Sequence, residues 1–115
     1  MTQGSRKQDV YMLAMMAKDA DFLRAVGKRL TQTREALRLN QTAAAAAFDV
    51  QRAAWNHYEN GRRMLDIQLA SVICDRWGVT LDWLYRGDKS GLTMRMVARL
   101  EDLLPVLKTT EDDSA

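Results

Sequence analysis

Cysteine, histidine and proline are almost absent from this chain of 115 residues, which has one of each. The single cysteine, Cys74, cannot form an internal disulfide, and this excludes a disulfide-stapled secreted scaffold. The single histidine, His57, cannot form a histidine cluster around a metal ion. No stretch approaches the roughly 20 apolar residues of a transmembrane helix, and the charged N-terminus lacks the order of a signal peptide. We therefore predict a cytoplasmic protein with no metal, no other cofactor and no membrane contact.

Motifs that carry catalysis are missing as well. The sequence has no glycine-rich phosphate loop, no recognisable pair of catalytic carboxylates and no spacing typical of metal ligands. No serine or cysteine combines with the histidine in an arrangement that predicted helices would bring together. An enzyme is therefore the least favoured class of protein, and we predict no catalytic residue.

The charge balance is modest but unevenly distributed. The chain carries 17 basic and 15 acidic side chains, a formal net charge of +2. Three of the acidic side chains lie within the last five residues, so residues 1–108 carry 17 basic against 12 acidic side chains, or 17 − 12 = +5. Phosphate binding depends on local clusters of positive charge rather than on totals, so the sequence is compatible with a nucleic-acid partner.

The start and stop signals of two short helices joined by a tight turn occur in residues 41–63, QTAAAAAFDVQRAAWNHYENGRR. The alanine-rich first helix leads to a turn at Asp49, the second helix is predicted over residues 51–58, and Gly61 follows its end. This pattern is typical of a helix-turn-helix unit. The second helix carries donor-rich side chains of the kind that read base edges, namely Gln51, Arg52, Asn56 and His57. Sequence-specific DNA binding is therefore the leading hypothesis.

Apolar residues recur at helical spacing on both sides of this motif, and strand alternation is absent. We predict a separate N-terminal helix over residues 7–18, followed by a core helix that Asp19 or Asp21 caps. Residues 92–104 form a last amphipathic stretch, which Pro105 interrupts. The predicted fold is all-α, with a helical N-terminal extension at residues 1–20, a helix-turn-helix DNA-binding domain at 21–87, and a linker, C-terminal helix and acidic disordered tail at 88–115.

The order of these signals resembles a known family. The segment LNQTAAAAAFDVQRAAWNHYENGRR at residues 39–63 is similar to the helix-turn-helix core of the lambda repressor and Cro group, also called the XRE family. The resemblance extends from about Val26 to Gly87, and it includes ENG at residues 59–61 and GVTLDWLYRG at residues 78–87. It implies a five-helix lambda-repressor-like DNA-binding domain, here with an added N-terminal helix and a C-terminal helix.

The resemblance implies base-reading roles along the second motif helix. Gln51 and Arg52 match positions that contact bases or phosphates in the family, and Ala53 matches another contact position at which it offers only a methyl group. Arg52 is the strongest candidate, because its guanidinium can present a bidentate fork to guanine. Asn56 and His57 lie one turn further along the same side, where a solvated surface position is the alternative.

Phosphate contacts are implied on either side of that helix. Gln41 matches the start of the first motif helix, where the family holds a phosphate and where any helix N-terminus favours an anion. Simple capping of the helix is the alternative for Gln41. The segment after the second helix matches the part of similar proteins that approaches the DNA backbone: Asn60, Gly61, Arg62 and Arg63. Plain solvent exposure is the alternative for the two arginines.

One further pair is given a structural role by the resemblance. Arg34 and Glu59 match an ion pair that fixes the motif against the rest of the domain. We therefore assign both residues to the scaffold.

The predicted partner is double-stranded DNA, bound by a homodimer. A single recognition helix reads only a few base pairs, so two-fold pairing on a palindromic operator is the usual route to specificity, and repression of transcription is the expected outcome. The candidate dimer contacts are residues 7–18 and 92–104, although packing on the domain is an equal alternative for the first. The competing interpretation is an antitoxin-type or other protein-interaction module, whose terminal helices bind a protein and whose DNA binding is secondary.

Overall fold

The protein is described by a computed structural model that covers residues 2–102, with side chains from residue 7 onwards. This part of the chain contains six helices and no strand. They are α1 (Thr2–Ala36), α2 (Gln41–Ala47), α3 (Arg52–Glu59), α4 (Ile67–Trp77), α5 (Asp82–Arg86, a π-helical turn) and α6 (residues 94–102). The prediction of an all-α, helix-turn-helix fold is confirmed. The prediction for residues 103–115 lies outside the described residues.

Helix α1 is a single continuous helix of 35 residues, so the prediction of two separate helices was wrong. Neither Asp19 nor Asp21 caps a helix, because both lie within α1, and the Asp21 carboxylate pairs with Arg24 one turn further on. No proline or glycine occurs from residue 5 to residue 26, and the alanine, methionine and leucine residues there favour helix. A domain boundary at residue 20 stays a prediction, although the helix runs through it.

The C-terminal half of α1 forms one wall of the core. Val26 and Leu30 are buried, and so is the polar side chain of Thr33. The Thr33 hydroxyl donates to the backbone oxygen of Arg29 at 2.7 Å and accepts from the indole nitrogen of Trp83 in α5 at 2.9 Å. Because a buried hydroxyl without partners would be costly, this pairing explains how Thr33 takes a core position.

Gly27 lets α3 approach the backbone of α1. A Cβ atom at Gly27 would lie 2.4 Å from the backbone oxygen of Glu59 and 2.5 Å from that of Tyr58, at the end of α3. Backbone atoms cannot move aside as a flexible side chain can, so any larger residue at this position must push the two helices apart. Gly27 thereby sets where the end of α3 lies against α1.

We expect Gly27→Ala to lower the free energy of unfolding by about 1–3 kcal/mol, as measured by urea denaturation. Alanine is the better helix former by about 1 kcal/mol, so a loss of stability must come from the clash. Gly91→Ala is the matched control, since the nearest atom to a new Cβ there is a side-chain carbon at 3.3 Å, and it should change stability by less than about 0.5 kcal/mol. A Gly27→Ala protein as stable as the wild type would contradict the proposed tight contact.

Three aromatic rings anchor α3 on the opposite side. Trp55 is fully buried, stacks on Phe48 with ring centroids 5.9 Å apart, and meets the edge of Trp77 at 5.7 Å. Phe48 and Trp77 contact each other at 5.1 Å. The buried Ala44 and Ala45 of α2 keep that helix slim where it packs into the same core. The alanine-rich helix and the bulky Trp55 are therefore complementary in size.

The helix ends follow local sequence signals. The Asn40 side chain accepts from the amide of Ala43, and the Asp66 side chain caps α4 in the same way by accepting from the amide of Leu69. Gly78 ends α4 with φ 70°, and Asp49 takes φ 53° in the predicted turn between α2 and α3, so both have the left-handed conformation. Arg38 also has a positive φ of 58°, which the sequence did not predict.

Candidate nucleic-acid interface

Helix α3 divides into a buried and an exposed face. Trp55, Tyr58 and Glu59 are buried, whereas Arg52 and Ala53 at its start are exposed. The predicted base readers lie together on the outer side: Arg52, Ala53 and His57 are exposed, and Asn56 is half-buried beside them. Gln51 lies just before α3 at the N-cap position, in an extended conformation and without a side-chain capping bond. The outer side of α3 therefore presents a compact row of polar groups around one methyl group.

A shallow hollow of about 300 Å³ lies at the start of this face. It is lined by Arg52, Ala53 and Asn56 of α3 together with Gln41 of α2. The structure thus brings the first residue of α2 next to the predicted readers. A guanidinium, two amides and a methyl group converge on one opening, which suits a ligand that presents hydrogen-bond acceptors and a small apolar patch.

Beneath this face, Arg34 of α1 forms a salt bridge with Glu59 at the end of α3. The guanidinium donates through Nε to Oε2 at 2.6 Å and through Nη2 to Oε1 at 3.1 Å. The Glu59 side chain is only 3% exposed and that of Arg34 13%. Arg34 also donates to the backbone oxygen of Leu39 at 2.8 Å, which ties the loop before α2 to the same pair. This arrangement links α1, α2 and α3 through a single charged group.

Glu59 accepts four hydrogen bonds in all. Trp55 donates its indole N–H to Oε2 at 2.6 Å, and the Gln41 amide donates to Oε1 at 2.9 Å, in addition to the two bonds from Arg34. Burial on its own would raise the pKa of Glu59, but the hydrogen bonds and the charge of Arg34 outweigh it, and the pKa is lowered from its ordinary value. Glu59 is therefore held as a carboxylate.

The orientation of two side-chain amides follows from that charge. A carboxylate only accepts hydrogen bonds, so the atom of Gln41 that faces Glu59 must be its nitrogen. The same nitrogen donates to Oδ1 of Asn56 at 3.1 Å, so the carbonyl oxygen of Asn56 is occupied. The amide nitrogen of Asn56 is therefore the group through which this side chain can donate a hydrogen bond to a ligand. Gln41 thus lies between the buried charge and a predicted reader.

The segment after α3 lies against the C-terminal half of α1. Asn60 ends α3, and Gly61 has φ 72°. A Cβ atom at Gly61 would lie 2.8 Å from the Cα of Arg24, so the close approach that Gly61 allows within this structure is to α1. Arg62 and Arg63 are exposed, and the Arg63 guanidinium lies over the Tyr58 ring at 5.6 Å from its centroid. The two arginines form a short basic patch beside the end of α3.

Two contacts that stabilise the domain were not predicted from the sequence. Trp55 and Glu59 are four residues apart on one helix, so their hydrogen bond had a local signal in the spacing. Arg29 donates to the backbone oxygens of Leu84 and Tyr85, each at 2.9 Å, and burial lowers the pKa of its guanidinium. These partners are 55 and 56 residues away in sequence, so no local pattern points to them.

The described residues contain no group of three or more metal-binding side chains close enough to hold an ion. Cys74 is half-buried, and burial together with the charge of Asp75 raises the pKa of its thiol, so the reactive thiolate is disfavoured at neutral pH. Within residues 2–102, none of the helices has both the length and the apolarity to cross a membrane.

Comparison with known proteins identifies the family. A family model described as a helix-turn-helix domain matches residues 25–84, which is just over half of the chain. The chain belongs to this helix-turn-helix family. Membership indicates DNA binding and a role in transcription regulation. Searches of curated proteins and of solved structures found no match to the chain.

Proposed function

We propose that the protein is a sequence-specific transcriptional repressor of the lambda repressor and Cro type, which binds a palindromic operator as a dimer. The observation that carries the proposal is the outer face of α3, where Arg52, Ala53, Asn56 and His57 lie on one side of a helix whose other side is anchored in the core. A recognition helix must be both rigidly held and chemically exposed, and α3 combines the two.

Each predicted contact group has a part in this proposal. Arg52 reads guanine through its fork, the Asn56 amide nitrogen reads a base acceptor, and the Ala53 methyl group meets thymine. Gln51 and His57 reach further base or phosphate groups at the two ends of this row. Phosphates are held by the start of α2 at Gln41 and by the segment after α3, namely Asn60, Gly61, Arg62 and Arg63.

The proposal is tested by selection of duplexes from a random library, followed by sequencing. We expect one motif with two inverted half-sites to be enriched, because the symmetry of an operator mirrors that of a dimer. An enriched motif without inverted symmetry would contradict dimeric binding. Failure to enrich any motif at low salt would contradict sequence-specific DNA binding itself.

Removal of one phosphate-binding arginine should weaken binding to all duplexes alike. We expect Arg62→Ala to lower affinity for specific and random duplexes by the same factor and to reduce the slope of log affinity against log salt by about 1. Titrations at several salt concentrations measure both quantities. Arg86→Ala is the control, because this exposed arginine ends α5, outside the proposed contact segments, and it should leave the slope unchanged. A loss confined to the specific duplex would mean that Arg62 reads bases.

An antitoxin-type protein-interaction module is the second candidate. It is favoured by the exposed apolar side chains of residues 10–16 in α1, which suit a protein partner better than solvent. In that case a stoichiometric partner protein should co-purify with the chain, and the random-duplex selection should yield no motif or only weak enrichment.

A further inference from the structure

The N-terminal half of α1 exposes an unusual amount of apolar surface. Residues 10–17, VYMLAMMA, are eight consecutive apolar residues, so they cover the whole circumference of the helix over two turns. The six large side chains of this run, Val10, Tyr11, Met12, Leu13, Met15 and Met16, are each between 52% and 69% exposed. Every side chain from residue 7 to residue 19 is exposed, and Ala20 is the first that is partly buried. A helix that is apolar all round is normally covered by other protein.

The charges around this run favour one arrangement of a partner. Lys7, Ala14 and Asp21 are spaced seven residues apart, so they lie in one line along α1, with the smallest side chain in the middle. If a second α1 runs antiparallel and crosses at Ala14, each Lys7 opposes the partner's Asp21. A parallel partner would instead oppose Lys7 with Lys7 and Asp21 with Asp21, which repel each other.

The net charges of the two flanks point the same way. Before the apolar run, the charges of Arg6, Lys7 and Asp9 add up to +2 − 1 = +1. After it, the charges of Lys18, Asp19 and Asp21 add up to +1 − 2 = −1. An antiparallel pair brings these opposite flanks together at both ends. Within the part of the chain that the structure describes, the salt-bridge partner of Asp21 is Arg24 of its own helix, and both side chains of that pair are largely exposed. Such an exposed pair is weak, so Asp21 is available to the partner's Lys7.

We propose that a second copy of this chain covers one face of the apolar run, through an antiparallel pairing of the two α1 helices that is centred on Ala14. This pairing rests on the proposed function in that it supplies the dimer which a palindromic operator requires. Of the two candidate dimer contacts, it selects the one in α1 and not the one that includes α6.

The pairing also spaces the two DNA-binding domains. The end of α3 lies against α1 at Gly27, which is 13 residues or about 20 Å along the helix from Ala14. The two-fold axis doubles that distance, so the two sites of contact lie about 40 Å apart along the paired helices. Half-sites one turn of B-DNA apart are separated by about 34–36 Å. The separation of the two domains along the helix axis is therefore of the same order as the spacing of two half-sites.

Charge reversal tests the direction of the pairing in the full-length chain. We expect Lys7→Asp and Asp21→Lys, each alone, to weaken dimerisation by roughly tenfold in sedimentation equilibrium, because two exposed pairs per dimer change from attraction to repulsion. The double variant Lys7→Asp/Asp21→Lys should return to within roughly threefold of the wild type. Lys28→Asp makes the same change of charge on α1 outside the paired segment, where the side chain is also exposed, and should have no such effect. A double variant as weak as the singles overturns the antiparallel arrangement.

Cross-linking gives a second, geometric measurement. Lys7→Cys and Asp21→Cys are made in separate chains that also carry Cys74→Ser, and the two chains are mixed and oxidised. The antiparallel pairing predicts mixed dimers that join residue 7 to residue 21. Homodimers that join 7 to 7 and 21 to 21 indicate a parallel pair, and they overturn the proposal. A wild-type chain that stays monomeric at every concentration overturns it as well.

The test of α1 pairing can fail or succeed independently of the test of DNA binding. DNA binding is measured on the same charge variants with a duplex that carries a single half-site, which does not require a dimer. A chain that pairs through α1 but selects no duplex contradicts the DNA-binding role and leaves the pairing intact. A chain that binds a single half-site but does not pair contradicts the pairing alone.

Discussion

Replacement of Glu59 by glutamine is expected to lower the free energy of unfolding by about 3–5 kcal/mol, which is the usual cost of breaking a buried ion pair by removing one partner. Glutamine has nearly the same shape, but it carries no charge and turns one oxygen into a donor. Arg34, Gln41 and Trp55 all donate to Glu59, so the new NH2 group must face a donor, and Arg34 keeps only the exposed carboxylate of Glu35 as a counter-charge. Urea denaturation measures the loss.

Glu35→Gln is the matched control for this prediction. Glu35 lies 3.9 Å from the same Arg34 guanidinium, but its side chain is 52% exposed against 3% for Glu59. A solvent-exposed pair contributes little, so this variant should change stability by less than about 0.5 kcal/mol. If the two variants lost the same free energy, burial of Glu59 would not be the cause. Gln41→Met, which removes one donor and leaves the ion pair, should fall between them.

The same carboxylate predicts a dependence of stability on pH. The pKa of Glu59 is lowered in the folded protein, so its contribution is fully present above the unfolded pKa of about 4.5 and is lost as the pH falls through the folded value. In the Glu59→Gln protein this contribution is absent at every pH. The difference in unfolding free energy between the two proteins should therefore be constant near neutral pH and shrink below about pH 4.5. A difference that stays constant down to pH 3 would contradict the lowered pKa.

Features specified by neighbouring residues were predictable from the sequence. The caps at Asn40 and Asp66, the left-handed glycine at Gly78 and the turn at Asp49 each depend on one or two side chains and the backbone beside them. The prediction that one helix ends and another begins near Asp19 was wrong, because it relied on a single local signal. A carboxylate at a helix start is favoured, but it does not end the preceding helix, and nothing else around residue 19 does.

Features that join distant residues were predicted only in part. The pairing of Arg34 with Glu59 was expected from a resemblance to a family and not from the spacing of the two residues. The bonds from Gln41 to Glu59 and Asn56 depend on where α2 meets α3, which is set by the packing of Phe48 and Trp55. Side-chain donors have several possible acceptors until the helices are placed, so the residues of the site were identifiable while the hydrogen-bonded network beneath them was not.

Arg52→Ala is expected to remove most of the preference for the specific operator while the fold persists. Arg52 is the first residue of α3 and its side chain is exposed at the edge of the hollow, so truncation should leave the free energy of unfolding within about 0.5 kcal/mol of the wild-type value. A bidentate contact to guanine contributes about 1–3 kcal/mol of discrimination, or about 5- to 150-fold for each half-site. Titrations with specific and random duplexes at one salt concentration measure the ratio.

Arg52→Lys separates base reading from charge. Lysine keeps the positive charge, so affinity for random duplex and its salt dependence should stay close to those of the wild type. It lacks the planar fork, so it should lose most of the discrimination that Arg52→Ala loses. If lysine restored the preference for the operator, the planar fork of Arg52 would not be the source of the discrimination, and a single charged donor to a base acceptor would be sufficient. Unchanged discrimination in both variants would remove Arg52 from the base-reading residues.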